Sequence, residues 1–247
     1  MNAKSLPENL HVERGQTQTG VNQKVVTYLY NKFSDDANFA AIDLPCGNGE
    51  FLSYEKHLFP NWQLTGVDIL KLEVASATTY QMDLTEDFLF PEDKKFDLVT
   101  TISGIMMFSN TLSFIKNCSK VLKSGGTFII TNDNNATIKD RLAYMFLGRY
   151  RIFNLVFEDD TPMTENVPIN EVVRLMRTNG IEVEDIVYTS LYTKDLILMP
   201  FALAAYATQY LYLKRLKTKM PEALKWKMYP FMHLFCRHYI IYGKKIN

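Results

Sequence analysis

The run Phe39-Ala40-Ala41-Ile42-Asp43-Leu44 leads into Pro45-Cys46-Gly47-Asn48-Gly49 and then into a helix-compatible segment. Gly47 and Gly49 lack Cβ atoms, so the backbone turns sharply there and a ligand lies against bare amides. A helix starting at this turn points unpaired N–H groups at whatever sits above it. Asp68, Asp83, Ser103 and Asn132 fall at the C-terminal ends of the candidate strands, with Asp133 next to the last of them. A carboxylate accepts two hydrogen bonds from a ribose diol, or one from an exocyclic amine. The turn suits a ligand of nucleotide type. Any chemistry that takes a proton from an acceptor oxygen needs a base within hydrogen-bond reach. The candidates are Asp133 first, then Ser103, and His11 on condition that the N-terminal segment folds over the cleft.

These residues need a scaffold that brings strand ends together. Residues 21–33 place Val21, Val25, Leu29 and Phe33 at helical spacing. Residues 39–44 form a first strand, 49–58 a crossover helix ending before Pro60, and 62–67 a second strand. Residues 78–84 form a weak third strand and Phe96–Ile102 a β-branched fourth. A helix over 106–122 buries Phe108, Leu112, Ile115, Val121 and Leu122, and Gly125-Gly126 supply a left-handed cap before a strand at 127–131. Strand–helix alternation implies βαβ units and a parallel sheet with helices on both faces. Ligands of such sheets bind beyond the carboxyl ends of the strands.

Past residue 131 the rhythm changes. Residues 134–157 are helical and basic-aromatic, 158–166 form an acidic loop, and 168–179 form an amphipathic helix stopped by Gly180. Strands follow at 181–192 and 238–246, with a long apolar helix at 195–216 between them. The expected division is a sheet domain of 1–133, 181–193 and 238–247, and a helical substrate-facing region of 134–180 and 194–237.

Bulk properties exclude several classes. Lys+Arg and Asp+Glu balance at 27 each, which argues against a nucleic-acid partner. Cys46, Cys118 and Cys236 are distant and odd in number, against a disulfide framework or a Cys-based zinc site. His11, His57, His233 and His238 show no ligand spacing, so no metal is expected. The polar N-terminus lacks the apolar core of a signal peptide, so a cytoplasmic protein is expected, membrane-associated if 195–216 lies on a bilayer. Cys46 is taken as a packing residue and Asp97 as structural.

Two ligand classes use such a turn. The dinucleotide fingerprint G-x-G-x-x-G is broken here, because Gly47 and Gly49 are followed by Leu52 in the third glycine position. Glu50 in the first helical turn would also repel a pyrophosphate. The segment Asp43-Leu44-Pro45-Cys46-Gly47-Asn48-Gly49 resembles the first motif of class I S-adenosylmethionine-dependent methyltransferases, with Pro45 in the place of the usual first glycine. Gly66-Val67-Asp68, Met82-Asp83-Leu84, Phe96-Asp97-Leu98-Val99 and Leu122-Lys123-Ser124-Gly125-Gly126 resemble that family's later motifs in the same order.

The resemblance implies a three-layer, Rossmann-like, seven-stranded, mostly parallel sheet whose last strand is antiparallel. It implies S-adenosylmethionine as cofactor and S-adenosylhomocysteine as product. It places the cofactor on Asp43, Pro45, Cys46, Gly47, Gly49, Asp68, Ile69, Asp83, Leu84 and Ser103. Asp68 would take the ribose hydroxyls and Asp83 the adenine amine. Residues 134–186 also resemble, more loosely, a block in bacterial methyltransferases of cell-surface saccharide and lipid-linked pathways, through Leu147-Gly148-Arg149-Tyr150. Glu165-Asn166-Val167-Pro168 departs from that block, where a His-containing stretch would be expected.

The expected function is therefore methyl transfer, to oxygen first, on a small-molecule, saccharide or lipid-linked acceptor. The alternatives are an NAD(P) oxidoreductase on a similar sheet and a non-catalytic cofactor-binding module. The helix at 195–216 has three uses open to it: a homodimer interface, the wall of a substrate cavity, or a peripheral membrane contact. Its eighteen mainly apolar residues, 196–213, lie at the short limit for a bilayer span.

Overall fold

In the computed structural model, which describes residues 4–91, 94–153, 155–156 and 165–246, seven strands form one sheet in the order β3-β2-β1-β4-β5-β7-β6. They are β1 Ala40–Asp43, β2 Gln63–Asp68, β3 Thr78–Gln81, β4 Phe96–Ile102, β5 Leu122–Asp133, β6 Ile181–Leu191 and β7 Cys236–Lys245. β7 runs antiparallel to both of its neighbours, slotting between β5 and β6. The order reverses at β1, which pairs with β2 on one side and β4 on the other. A cleft opens beyond the strand ends at such a point.

Period-two alternation sends successive residues to opposite faces. Val99, Phe128, Ile130 and Ile241 face a cluster completed by α3 (Thr111–Val121) and α5 (Ile169–Thr178). Leu98, Ile129 and Ile240 face another, under α1 (Val21–Lys32) and α2 (Glu50–Leu58). Helix α5 presents Val172, Val173, Leu175 and Met176 to the sheet, each fully or almost fully buried. Burial of such side chains stabilises by about 1.5–3 kcal/mol apiece.

Several boundaries differ from expectation. Leu112 is 54% exposed, and Phe114 takes the inward position, because α3 starts only at Thr111 behind the Asn110 cap. Gly125 and Gly126 do not cap that helix. They lie within β5, whose register on β4 shifts between Phe96 and Leu98 to absorb them. The expected helix at 134–157 reduces to α4 (Ile138–Leu147), started by the Thr137 hydroxyl and stopped by Gly148 in the left-handed region at φ 68°. The acidic loop falls mostly on 157–164, outside the described residues.

The long apolar helix is α6 (Met199–Arg215), preceded by a 3-10 turn. A short helix, α7 (Glu222–Met228), follows and was not anticipated. Arg237 pairs with Asp195 and stacks 3.6 Å from the Tyr192 ring, which ties the start of α6 to β7. Helix α5 covers the sheet, whereas α4 and α6 pack on each other around Ile138, Ala202, Leu234 and Phe235.

One buried group opposes the fold. Glu55 on α2 is 1% exposed, and neither carboxyl oxygen has a hydrogen-bond partner. Desolvation, with a smaller push from Asp43, holds its pKa well above the carboxylate range. The folded chain then binds a proton that the unfolded chain releases. Stability is fullest below the ordinary carboxylate range and declines as pH rises above it. Glu55→Met should raise unfolding free energy at neutral pH by about 1–3 kcal/mol and flatten its fall with pH. Urea melts between acid and neutral pH check this, and a destabilised variant would refute it.

Candidate functional site

Asp43 ends β1 in register with Gly66 of β2 and Thr100 of β4. It is 2% exposed, and the Thr100 hydroxyl donates to it at 2.7 Å. Burial pushes its pKa up to about 7; the Thr100 hydrogen bond pulls the other way and the nearby Asp68 charge adds to the rise. Asp68 ends β2 and accepts the Gly47 amide at 3.0 Å and the Leu70 amide at 3.1 Å. Each oxygen keeps a lone pair, so the carboxylate both ties the turn and stays able to accept a diol.

The turn itself is held by sterics. Gly49 has φ 79°, and a Cβ there would lie 2.5 Å from Val74 Cγ2. Pro45 follows a cis peptide bond, and its ring packs where a Cβ on Gly104 would lie 2.3 Å from Pro45 Cδ. The proline in place of a glycine therefore seats on a glycine across the cleft. Cys46 is 5% exposed and burial, reinforced by Asp43 and Asp68, pushes its thiol up to about 12. It stays protonated and is no nucleophile.

A strap closes the near side. The Tyr54 hydroxyl accepts the Glu13 amide and donates to Glu50, while Asn22 donates to the Glu13 and Arg14 carbonyls. The strap carries Gln16 and Thr17 over the turn, forming a cleft with Asn22, Asp43, Pro45, Gly47, Glu50 and Ile102. Two carboxylates and no cationic side chain line it among the described residues. That donor set fits a ligand bearing positive charge and repels a pyrophosphate.

At the other end, Ile69 is 61% exposed beside Asp68, and Asp83 is exposed. Asp83 Oδ1 accepts from the Thr85 amide and hydroxyl, which hold its pKa below the usual carboxylate value. The Leu84 side chain turns away from the cleft, 3% exposed in the core cluster with Val67 and Phe96. His11 is exposed, and Thr17 is the strap residue that reaches the strand ends.

Ser103 and Asp133 come together through a residue the spacing did not single out. His238 on β7 lies in register with Asp133 on β5. Its Nδ1 is 3.1 Å from Asp133 Oδ1 and its Nε2 is 3.2 Å from Ser103 Oγ. Ser103 Oγ is in turn 2.6 Å from Thr17 Oγ1. Ser103 follows β4 with φ 58°, a left-handed conformation costly for serine. Burial lowers the His238 pKa, overriding the Asp133 carboxylate that would raise it. The ring is neutral at pH 7. With Nδ1–H donating to Asp133, Nε2 is left as an acceptor toward Ser103. Arg151 Nη1 lies 3.9 Å behind Asp133. Asn132 instead donates to the Val167 carbonyl and is buried.

Residues 42–130 match the family model described as a methyltransferase domain. Among solved structures, the fold is similar to a SAM-dependent methyltransferase from Archaeoglobus fulgidus, with 15% identity and a TM-score of 0.55 over 91% of this chain and 94% of that one. It is similar to geranyl diphosphate C-methyltransferase from Streptomyces coelicolor, solved with S-adenosylhomocysteine, with 11% identity and a TM-score of 0.51 over 91% of this chain and 79% of that one. It is also similar to the [4+2]-cyclase SpnF, with 17% identity and a TM-score of 0.54 over 90% of this chain and 80% of that one. At such identities the likeness is one of fold. No curated protein matches the chain in sequence.

Proposed function

We propose, starting from the match of residues 42–130 to a methyltransferase-domain family model, that this protein is an S-adenosylmethionine-dependent methyltransferase that transfers a methyl group to a hydroxyl oxygen of a small-molecule, saccharide or lipid-linked acceptor. S-adenosylmethionine, when bound, supplies an electrophilic methyl group on a good leaving group. Positioning then provides much of the rate. Asp43 and Glu50 favour the cationic end of the cofactor. The Gly47 amide and Asp68 form one hydrogen-bonded unit against which the ribose would lie. Asp83 keeps Oδ2 for the adenine amine.

The observation that carries oxygen as the acceptor is the Ser103–His238–Asp133 chain beside the cleft. A neutral hydroxyl is a poor nucleophile until its proton leaves. In the proposed step the acceptor hydroxyl gives its proton to Ser103 Oγ as Ser103 gives its own to His238 Nε2. The imidazolium so formed is stabilised by Asp133, which is not itself protonated. Thr17 Oγ1 now holds the contact to Ser103 that an acceptor hydroxyl would make. Asp133 is thus the positioning residue, with His238 as the base.

Calorimetry with S-adenosylhomocysteine and with NAD(H), followed by labelled-methyl transfer to matched hydroxyl and amine acceptors, tests the reading. Binding of S-adenosylhomocysteine and label on the hydroxyl are expected. Binding of NAD(H) alone, or label carried only by the amine, would overturn it.

A further inference from the structure

We propose that the outer face of α6 lies in the headgroup layer of an anionic lipid bilayer. The helical stretch Thr193–Arg215 is long and apolar enough to cross a membrane, yet only 11% of its most apolar window is buried. Ile197, Phe201, Leu203, Leu211 and Tyr212 are 83%, 56%, 57%, 52% and 64% exposed. Ile197, Phe201, Ala204, Thr208 and Leu211 fall on one stripe at three- and four-residue spacing. Helix α4, which packs on α6, leaves Met145 and Phe146 65% and 75% exposed as well. Soluble surfaces seldom leave so many large apolar side chains uncovered.

The helix is fastened to the protein along its inner side. Ala202 and Leu213 are buried there, and Gln209 accepts from Arg141 at 2.6 Å. That attachment excludes a span, which needs lipid or partner helices all round. A helix fastened to the protein along one side and bare and apolar along the other lies in the plane of the interface and not across it.

Charge chooses the occupant. No charged residue occurs from 196 to 213, and Asp195 just before is buried and paired with Arg237. Lys214, Arg215, Lys217 and Lys219 follow, all exposed, and none makes an ion pair among the described residues. A second copy of the chain packed antiparallel on this face would leave both basic clusters without anions. A layer of phosphate headgroups supplies them beside the apolar stripe. The docking stands on these surface residues alone. Its consequence for substrate, that the acceptor hydroxyl belongs to a lipid-linked molecule, rests on the methyl-transfer reading above.

Sedimentation with vesicles of phosphatidylcholine carrying roughly a third of phosphatidylglycerol tests the proposal. The wild-type chain should co-sediment at low salt, and bind pure phosphatidylcholine much less. Changing Lys214, Arg215, Lys217 and Lys219 to Gln should weaken binding by about fivefold per charge removed. The pair Phe201→Glu and Leu211→Glu should weaken it by about tenfold or more. Both variants alter exposed positions and should keep wild-type circular dichroism and wild-type affinity for S-adenosylhomocysteine. Absence of wild-type binding, or full binding by the Phe201→Glu, Leu211→Glu variant, overturns the proposal. So does a wild-type dimer that this variant splits without any vesicle binding. Asp43→Asn should sediment like wild type, so a failed cofactor reading leaves the vesicle result intact.

Discussion

His238→Asn lowers kcat by about 10²–10⁴-fold and leaves affinity for S-adenosylhomocysteine unchanged, if the imidazole is the base. His238 is 1% exposed and its Nε2 hydrogen-bonds the Ser103 hydroxyl, so the loss falls on the proton-transfer step and not on cofactor binding. Asparagine keeps a polar group against Asp133 and limits the penalty of leaving that carboxylate alone in the core. Asp133→Asn should also lower kcat, because the carboxylate that accepts from Nδ1–H selects the tautomer. The pH profile separates catalysis from mere structure. The His238 pKa lies below its ordinary value, so wild-type kcat at saturating cofactor should be flat above pH 7 and fall only below the usual histidine range. A kcat within twofold of wild type in His238→Asn, with the acid limb unmoved, removes the histidine from the mechanism.

Asp43→Asn should weaken S-adenosylhomocysteine binding by about 10–100-fold, the value of a hydrogen bond or contact to a buried charge. The wild-type affinity should itself depend on pH. With its pKa pushed up to about 7 by burial, Asp43 is largely protonated below neutrality. A ligand that carries an ammonium or sulfonium group binds the ionised form, so binding below about pH 7 must first release a proton. Affinity therefore rises with pH through that region and levels above it. The asparagine variant cannot titrate and should show neither the rise nor the plateau. Calorimetry from pH 6 to pH 8 in buffers of different ionisation enthalpy measures the proton released. No release, with equal affinities across the range, would show that Asp43 is a structural acid tied to Thr100.

The two experiments also bear on the reaction class. A [4+2]-cyclase shares this sheet and most of this chain's length in superposition. The fold alone does not fix the chemistry, which lives in the side chains grafted on it. Here those are the carboxylates at the ends of β1 and β2 and the relay at the ends of β4, β5 and β7.

Much of this was legible in the residues because its causes are local. The parallel sheet follows from strand–helix alternation, and the turn from Gly47 and Gly49, whose positive φ values of 50° and 79° few other residues tolerate. The places of Asp43 and Asp68 follow because each ends an apolar run. Only the tertiary structure decided the rest. His238 lies 105 residues from Asp133 and 135 from Ser103 in sequence. They meet because β7 enters the sheet antiparallel beside β5 in one register, and a shift of one residue would turn His238 to the opposite face. No spacing in the chain encodes that pairing. Pro45 likewise made sense only once Gly104 stood opposite it. By sequence helix α6 suits a dimer interface, a substrate-cavity wall or a membrane contact alike; which of its faces is buried and which is bare is set by its packing on α4.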